Sequence, residues 1–301
     1  MSELVSKLSQ VSMVSANFGN RLAYKKILLD WFDFLGGKPG EVVVVDGGSD
    51  SDTQKLYWEL YQDGLIDKLQ IIPPHHKDND KERCFIQEYT AGVIASNPYI
   101  LWFKIDTLPY REGHERWLEE AIDDLDRDNV FAVGGAFNRS YPHFEAKSGW
   151  YFSQACTINF SLMKRSTFVA VMQEFAGEYI ASGFQGEHEF SRFLLEIAFS
   201  AYMERHKVYT LCKIEDPTWT IFHTNAQDEY LQEVRKKYLE RQDIESFMNP
   251  CLSKDISQFL YYGKPPIKSG SLKKMQMILG ETKAGSYWRE FKKHFDPSTN
   301  D

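Results

Sequence analysis

No stretch of this sequence approaches the roughly 18–20 consecutive apolar residues that a bilayer-crossing helix needs, and the mean hydropathy is −0.45. Cysteine is scarce: Cys84, Cys156, Cys212 and Cys251 stand far apart with no Cys-x-x-Cys pair. That excludes a disulfide-stapled scaffold and a zinc ribbon, and leads us to expect reduced, mostly structural thiols in a cytoplasmic protein. The opening MSELVSKLSQVSMVSA is too polar and broken for a signal-peptide core, which fits the same expectation. With 11 Pro and 19 Gly in 301 residues, a collagen-like or low-complexity chain is excluded. Positive charge is in the minority, 35 Lys and Arg against 43 Asp and Glu, for a formal net charge of −8. A protein held to a duplex by phosphate neutralisation would not carry that balance, so no nucleic-acid partner is expected.

What the chain does contain is apolar periodicity. Hydrophobic residues make up 43%, enough for a sizeable core in one or two domains. The first half alternates two patterns. Val11–Ser15 reads as a strand, Leu22 to Leu35 as a helix stopped by Gly36-Gly37-Lys38-Pro39-Gly40, and Val42–Val45 as a strand buried on both faces. Helices over Thr53 to Tyr61 and Lys81 to Ala95 separate strands at Leu69–Ile72 and Tyr99–Ile105. Glu115 to Leu125 reads as helix and Val130–Gly134 as strand. Beyond these, Cys156–Leu162 looks like a strand, and Ser166–Met172 and Glu189–Met203 look like helices. Alternating strands and helices imply βαβ units in a doubly wound sheet, whose ligands bind where the strands end. Asn17, Asp46 and Asp106 all fall at such ends. From residue 225 on, charged amphipathic helices (Glu229 to Tyr238, Lys254 to Tyr262) suggest an appendage rather than a second α/β domain.

Asp46-Gly47-Gly48-Ser49-Asp50-Ser51-Asp52-Thr53 is the strongest local signal. An acidic residue at a buried strand's end can accept hydrogen bonds from a nucleobase or ribose, and the glycines let backbone approach a flat ligand. The same residues also suit a tight turn with Ser49 or Asp50 capping the next helix. Neither a GxGxxG fingerprint nor a Walker loop is present, so NAD and a P-loop ATP site are not indicated.

The succession VSMVSANFG, helix, VVVVDGGSDSDT, helix, YILWFKIDT resembles the GT-A family of nucleotide-sugar glycosyltransferases. It is most similar to the large inverting group of bacterial and phage-type enzymes that build polysaccharides. The likeness runs from about Val11 to His223. It implies a GT-A-like doubly wound mixed α/β sheet flanked by helices, with a catalytic domain over 1–224 (nucleotide part about 1–110, acceptor part about 111–224) and a helical extension over 225–301. It further implies sugar transfer from a nucleotide sugar, in the first place a UDP-sugar, to a glycan, lipid-linked or other hydroxyl acceptor. Ala16, Asn17, Phe18 and Asp46 would then hold the nucleoside, and Arg83 would contact the nucleotide.

The family's metal-binding Asp-x-Asp falls on Asp106-Thr107-Leu108, where the second carboxylate is replaced by leucine. A hard cation such as Mn2+ or Mg2+ can complete its coordination with diphosphate oxygens, waters and a second protein ligand, and His223 in WTIFHTN stands at the matching place for one. Taken alone, His223 reads first as a packed or capping histidine. Lys104, on the same strand face as Asp106, offers a metal-free way to neutralise diphosphate. The segment Gly183-Phe184-Gln185-Gly186-Glu187-His188-Glu189-Phe190 resembles the one that places the family's general base, so Glu187, His188 and Glu189 are the catalytic candidates. The plain alternative is an acidic helix N-terminus favoured by the helix dipole.

Gly134-Gly135-Ala136-Phe137 and Trp150-Tyr151-Phe152 stand where the family shapes its sugar pocket, although an aromatic run is more often core. His75-His76 lies in a polar loop and is a poor metal candidate. Lys268, Lys273, Lys274 and Arg289 interleaved with Leu272, Ile278 and Trp288 could touch an anionic membrane, a lipid-linked acceptor or a second copy of the chain, or pack on the catalytic domain. Two other classes fit the same residues less well. A sugar nucleotidyltransferase would want a glycine-rich basic loop that VSMVSANFGN lacks, and a non-catalytic nucleotide-sugar or glycan binder is suggested by Leu108 and His188 replacing acids.

Overall fold

A computed structural model of the chain describes residues 7–73, 80–113, 115–134, 144–147, 150–185, 195–213, 218–224, 226–247 and Tyr262. Four strands, β1 (Val11–Asn17), β2 (Glu41–Asp46), β3 (Lys68–Ile71) and β4 (Tyr99–Phe103), run parallel in the order β3-β2-β1-β4. The helices α1 (Arg21–Leu35), α2 (Ser51–Gln62) and α3 (Asp80–Ile94) connect them. The sheet continues through β9 (Phe160–Lys164), which is antiparallel to β4 on one side and to β6 (Val130–Gly134) on the other. It ends with β10 (Tyr209–Lys213), β8 (Trp150–Ser153) and β7 (Phe144–Lys147). The doubly wound mixed sheet expected from the sequence is therefore present, with nine strands among the described residues. A separate two-stranded ribbon pairs β5 (Thr107–Arg111) with β11 (Trp219–His223) antiparallel.

Both faces of the sheet are covered, and the four valines of β2 show why. Val42 and Val44 point to one side, where they meet Met13, Leu101 and Phe103 beneath Ile27, Leu28 and Trp31 of α1. Val43 and Val45 point to the other, with Val14, Ile100 and Trp102 beneath Phe85 of α3 and Phe168 and Val171 of α5 (Arg165–Ala181). α6 (Leu195–His206) adds Leu195, Ala198 and Phe199 to that second layer. The first layer takes Trp117 and Leu118 from α4 (Trp117–Asp124). α1 stops where Gly36 adopts a φ of 83° and donates its N–H to Phe32 and Asp33 carbonyls, a left-handed cap that glycine adopts without strain.

Three elements differ from the sequence reading. The strand expected over Cys156–Leu162 begins only at Phe160. The amides before it are already committed elsewhere: Ile158 N–H donates to Glu196 Oε1 (3.0 Å) and Asn159 N–H to Thr157 Oγ1 (3.1 Å). The helix expected over Ser166–Met172 continues to Ala181, because Ala176 and Tyr179 extend its buried stripe. α7 (Asp228–Leu239), expected to open an appendage, packs on α1 and β5 and puts Leu231, Val234 and Tyr238 into the first core layer. Its Arg235 forks onto both carboxylate oxygens of Asp30 in α1. The helix expected over Lys254 to Tyr262 and the basic segment after it lie outside the described residues, apart from Tyr262. Among the described residues no helix is long and apolar enough to cross a membrane, and Cys84, Cys156 and Cys212 form no disulfide.

Candidate functional site

The ends of β1 and β2 are aligned, with Asn17 opposite Asp46. Both are buried, Asp46 completely. Hydrogen bonds join the loops that follow these strands. Asn17 Nδ2 donates to the Gly19 carbonyl (2.9 Å) and to the Tyr57 hydroxyl, whose pKa burial pushes up. Gly47 N–H donates to the Asn17 carbonyl (3.1 Å), and Gln87 Nε2 bridges the Asn17 and Val45 carbonyls (3.0 and 3.3 Å). The Asp46 carboxylate accepts from Ser49 N–H (3.0 and 3.2 Å), from Ser49 Oγ and from Gln54 Nε2 (3.3 Å). Gly19 N–H donates in turn to Ser49 Oγ (2.9 Å). Asp50 caps α2 by accepting from Thr53 N–H (2.8 Å). The turn-forming role open in the sequence is thus realised by Asp46, Ser49 and Asp50 together. Ala16 is half-buried, and Phe18 stands 50% exposed at the rim.

Asp106 lies past the end of β4, on the neighbouring strand end. Its backbone is held from the far side of the chain: Thr224 N–H and Oγ1 both donate to the Asp106 carbonyl (2.8 and 2.9 Å). The β5–β11 ribbon sets His223 opposite Thr107. His223 Nε2 then sits 2.9 Å from Asp106 Oδ2, and each side chain is 18% exposed. Asn159 Nδ2 lies 3.3 Å from His223 Nδ1. Thr107 is fully buried, and its carbonyl accepts from Trp31 Nε1 (3.2 Å). Leu108 is core, so the acid missing from the sequence pattern is replaced by a packed side chain.

The pair fits a divalent cation in donor chemistry, one carboxylate oxygen and one imidazole nitrogen in direct contact. Among the described residues no group of three or more His, Cys, Asp or Glu stands together that could hold a metal.

Beside Asp106 is a charged group that sequence reasoning found only in part. Lys104 Nζ lies 4.0 Å from Glu88 Oε1. Glu88 is buried on α3, its Oε2 accepting from Leu195 N–H (3.3 Å), the first residue of α6. Burial pushes the Glu88 carboxyl up to about 7 against the opposing pull of Lys104. Glu196 is raised for the same reason. Burial works against the Lys104 ammonium, but Glu88, Glu196 and Asp106 outweigh it and raise its pKa above the ordinary lysine value. A signal for Glu88 existed: it stands three residues after Phe85 and three before Ala91, on the apolar stripe of its helix.

The structure therefore brings together Ala16, Asn17, Phe18 and Asp46 at one pair of strand ends, and Lys104, Asp106, Thr107 and His223 beside them. Arg83 is on α3, but its side chain is outside the described residues, as are Glu187, His188 and Glu189, His75 and His76, and Gly135 to Phe137. Trp150 and Phe152 are core, with ring centroids 6.4 Å from Trp219 and 5.8 Å from Tyr209.

No family model matches this chain, and no curated protein matches it in sequence. Among solved structures it is similar to a mannosyltransferase from Pyrobaculum calidifontis in complex with GDP-Man and Mn2+. Identity is 12% and the TM-score 0.44, over 95% of this chain and 84% of that one.

Proposed function

We propose that the protein is a GT-A-like glycosyltransferase that moves a sugar from a nucleotide sugar, most readily a UDP-sugar, to a hydroxyl acceptor with inversion. The observation that carries this reading is the 2.9 Å contact between Asp106 and His223, 117 residues apart, beside the joined loops of Asn17 and Asp46. Two metal-compatible side chains next to a rim of backbone and polar groups suit a ligand with a base at one end and a diphosphate at the other.

In this reading Asn17, Ala16 and Phe18 receive the nucleoside on a loop that Asp46 holds rigid through Ser49, with Arg83 contacting the nucleotide. Asp106 and His223 hold Mn2+ or Mg2+. The cation, when bound, stabilises the charge that develops on the departing diphosphate. Asn159 orients the imidazole, and Thr224 fixes the Asp106 backbone. Glu187, His188 or Glu189 takes the proton from the acceptor hydroxyl as it attacks the anomeric carbon. Residues 1–224 form the catalytic unit and 225–301 its extension.

The test is thermal shift and released nucleotide across a panel of nucleotide sugars with Mn2+, Mg2+ or EDTA. Asp106→Ala and His223→Ala should each abolish the metal-dependent shift and lower turnover by about 100-fold or more. Unchanged turnover and metal response in both variants would refute the assignment.

A further inference from the structure

Lys104 stands at the end of β4 beside Asp106, and two carboxylates answer it, Glu88 buried and Glu196 half-buried. Glu88 Oε1 is 4.0 Å from the ammonium while Glu88 Oε2 is fixed by Leu195 N–H at 3.3 Å. Glu196, the next residue along α6, is fixed by Ile158 N–H at 3.0 Å. Each carboxylate is thus tied by one oxygen to a backbone amide of another element, so neither swings aside when a ligand arrives. Buried ionised carboxylates are costly and persist where their charge is matched.

We infer that Glu88 and Glu196 are specificity-determining residues that neutralise Lys104, so that a nucleoside diphosphate binds only together with a divalent cation. The inference rests on the donor-site reading of Asp106 and His223. A lone lysine at a strand end would attract free diphosphate directly. Here Glu88, Glu196 and Asp106 all act on that one ammonium. A free diphosphate adds more negative charge to a pocket already negative, and like charges at this range repel. A cation on Asp106 and His223 reverses the local sign and admits the ligand as its metal complex.

The replacement Glu→Gln separates charge from structure, because a glutamine carbonyl still accepts from Leu195 or Ile158 N–H. The probes are inorganic pyrophosphate and UDP, titrated calorimetrically into the full chain at about pH 8, above the Glu88 pKa of about 7, in Mn2+ and in EDTA. The unmodified chain should bind at least about 100-fold more tightly in Mn2+ than in EDTA. E88Q/E196Q should gain about tenfold in EDTA over the unmodified chain, and K104M added to that pair should remove the gain. Each single Gln variant should show part of it, which covers the case where the pair does not fold. Equal affinity of the unmodified chain in the two media overturns the inference, as does a folded Gln variant with no gain in EDTA; binding in Mn2+ would still leave the donor site standing. Silence of the unmodified chain and every Gln variant towards both probes in both media overturns the donor-site reading and this inference with it.

Discussion

Gly47 has no room for a side chain. A Cβ there would lie 2.5 Å from Gln87 Nε2, the amide that bridges the Asn17 and Val45 carbonyls. Gln87 could retreat only by giving up those bonds within a buried site. Gly47→Ala should therefore cost about 1–3 kcal/mol in urea unfolding and weaken nucleotide binding by loosening the Asn17 loop. Such polar residues at the ends of apolar strands were legible from sequence, since Asn17, Asp46 and Asp106 each follow a run of buried residues. Glu88 and Glu196 were not read in the same way. Glu88 could be suspected from its place on the apolar stripe of α3, but Glu196 looks the same whether it faces solvent or a lysine past a strand end 92 residues away, and only the packing of α3 and α6 on the sheet brings both to Lys104.

The same holds for whole elements. The parallel strands were readable because each is a short apolar run buried on both sides. The β5–β11 ribbon was not, because Thr107–Arg111 is short, carries Pro109, and finds its partner only at Trp219–His223. His223 was placed by family likeness, and the ribbon is the physical reason it meets Asp106. Close packing between α3 and α5 gives a test at this scale. Gly92 lies inside α3, where alanine would gain about 0.5–1 kcal/mol of helix propensity. Its Cβ would, however, fall 2.4 Å from the Phe168 ring, which is fully buried against Trp102. Overpacking of about 1–3 kcal/mol outweighs the gain, so Gly92→Ala should lower the urea midpoint. A raised midpoint would show that α3 and α5 separate more easily than their packing indicates.

For the molecule as a whole, the buried charges make stability depend on pH. The folded-state pKa of Glu88 is about 7 against an ordinary value of 4.5, so between these the folded protein holds more protons than the unfolded chain. Stability contributed by this group is therefore full below about pH 4.5 and falls as pH rises towards 7. Glu196, shifted the same way, adds to the trend; Lys104 faces both groups, and His223 faces Glu196. Urea midpoints taken across that range should fall with rising pH, and less steeply in E88Q than in the unmodified chain. Parallel slopes would contradict the burial of Glu88. The reversed strand next to β4, β9, has a consequence for how the protein is made. Strands β1 to β4 are complete once residue 103 has left the ribosome, but β9, which covers the β4 edge, ends at Lys164. At about 5–20 residues per second, the nascent half-sheet spends roughly 3–12 s with an apolar, unpaired edge. Translational pauses between β4 and β9 should accordingly leave arrested chains that recruit chaperones or pair with one another, whereas a pause after β9 should not.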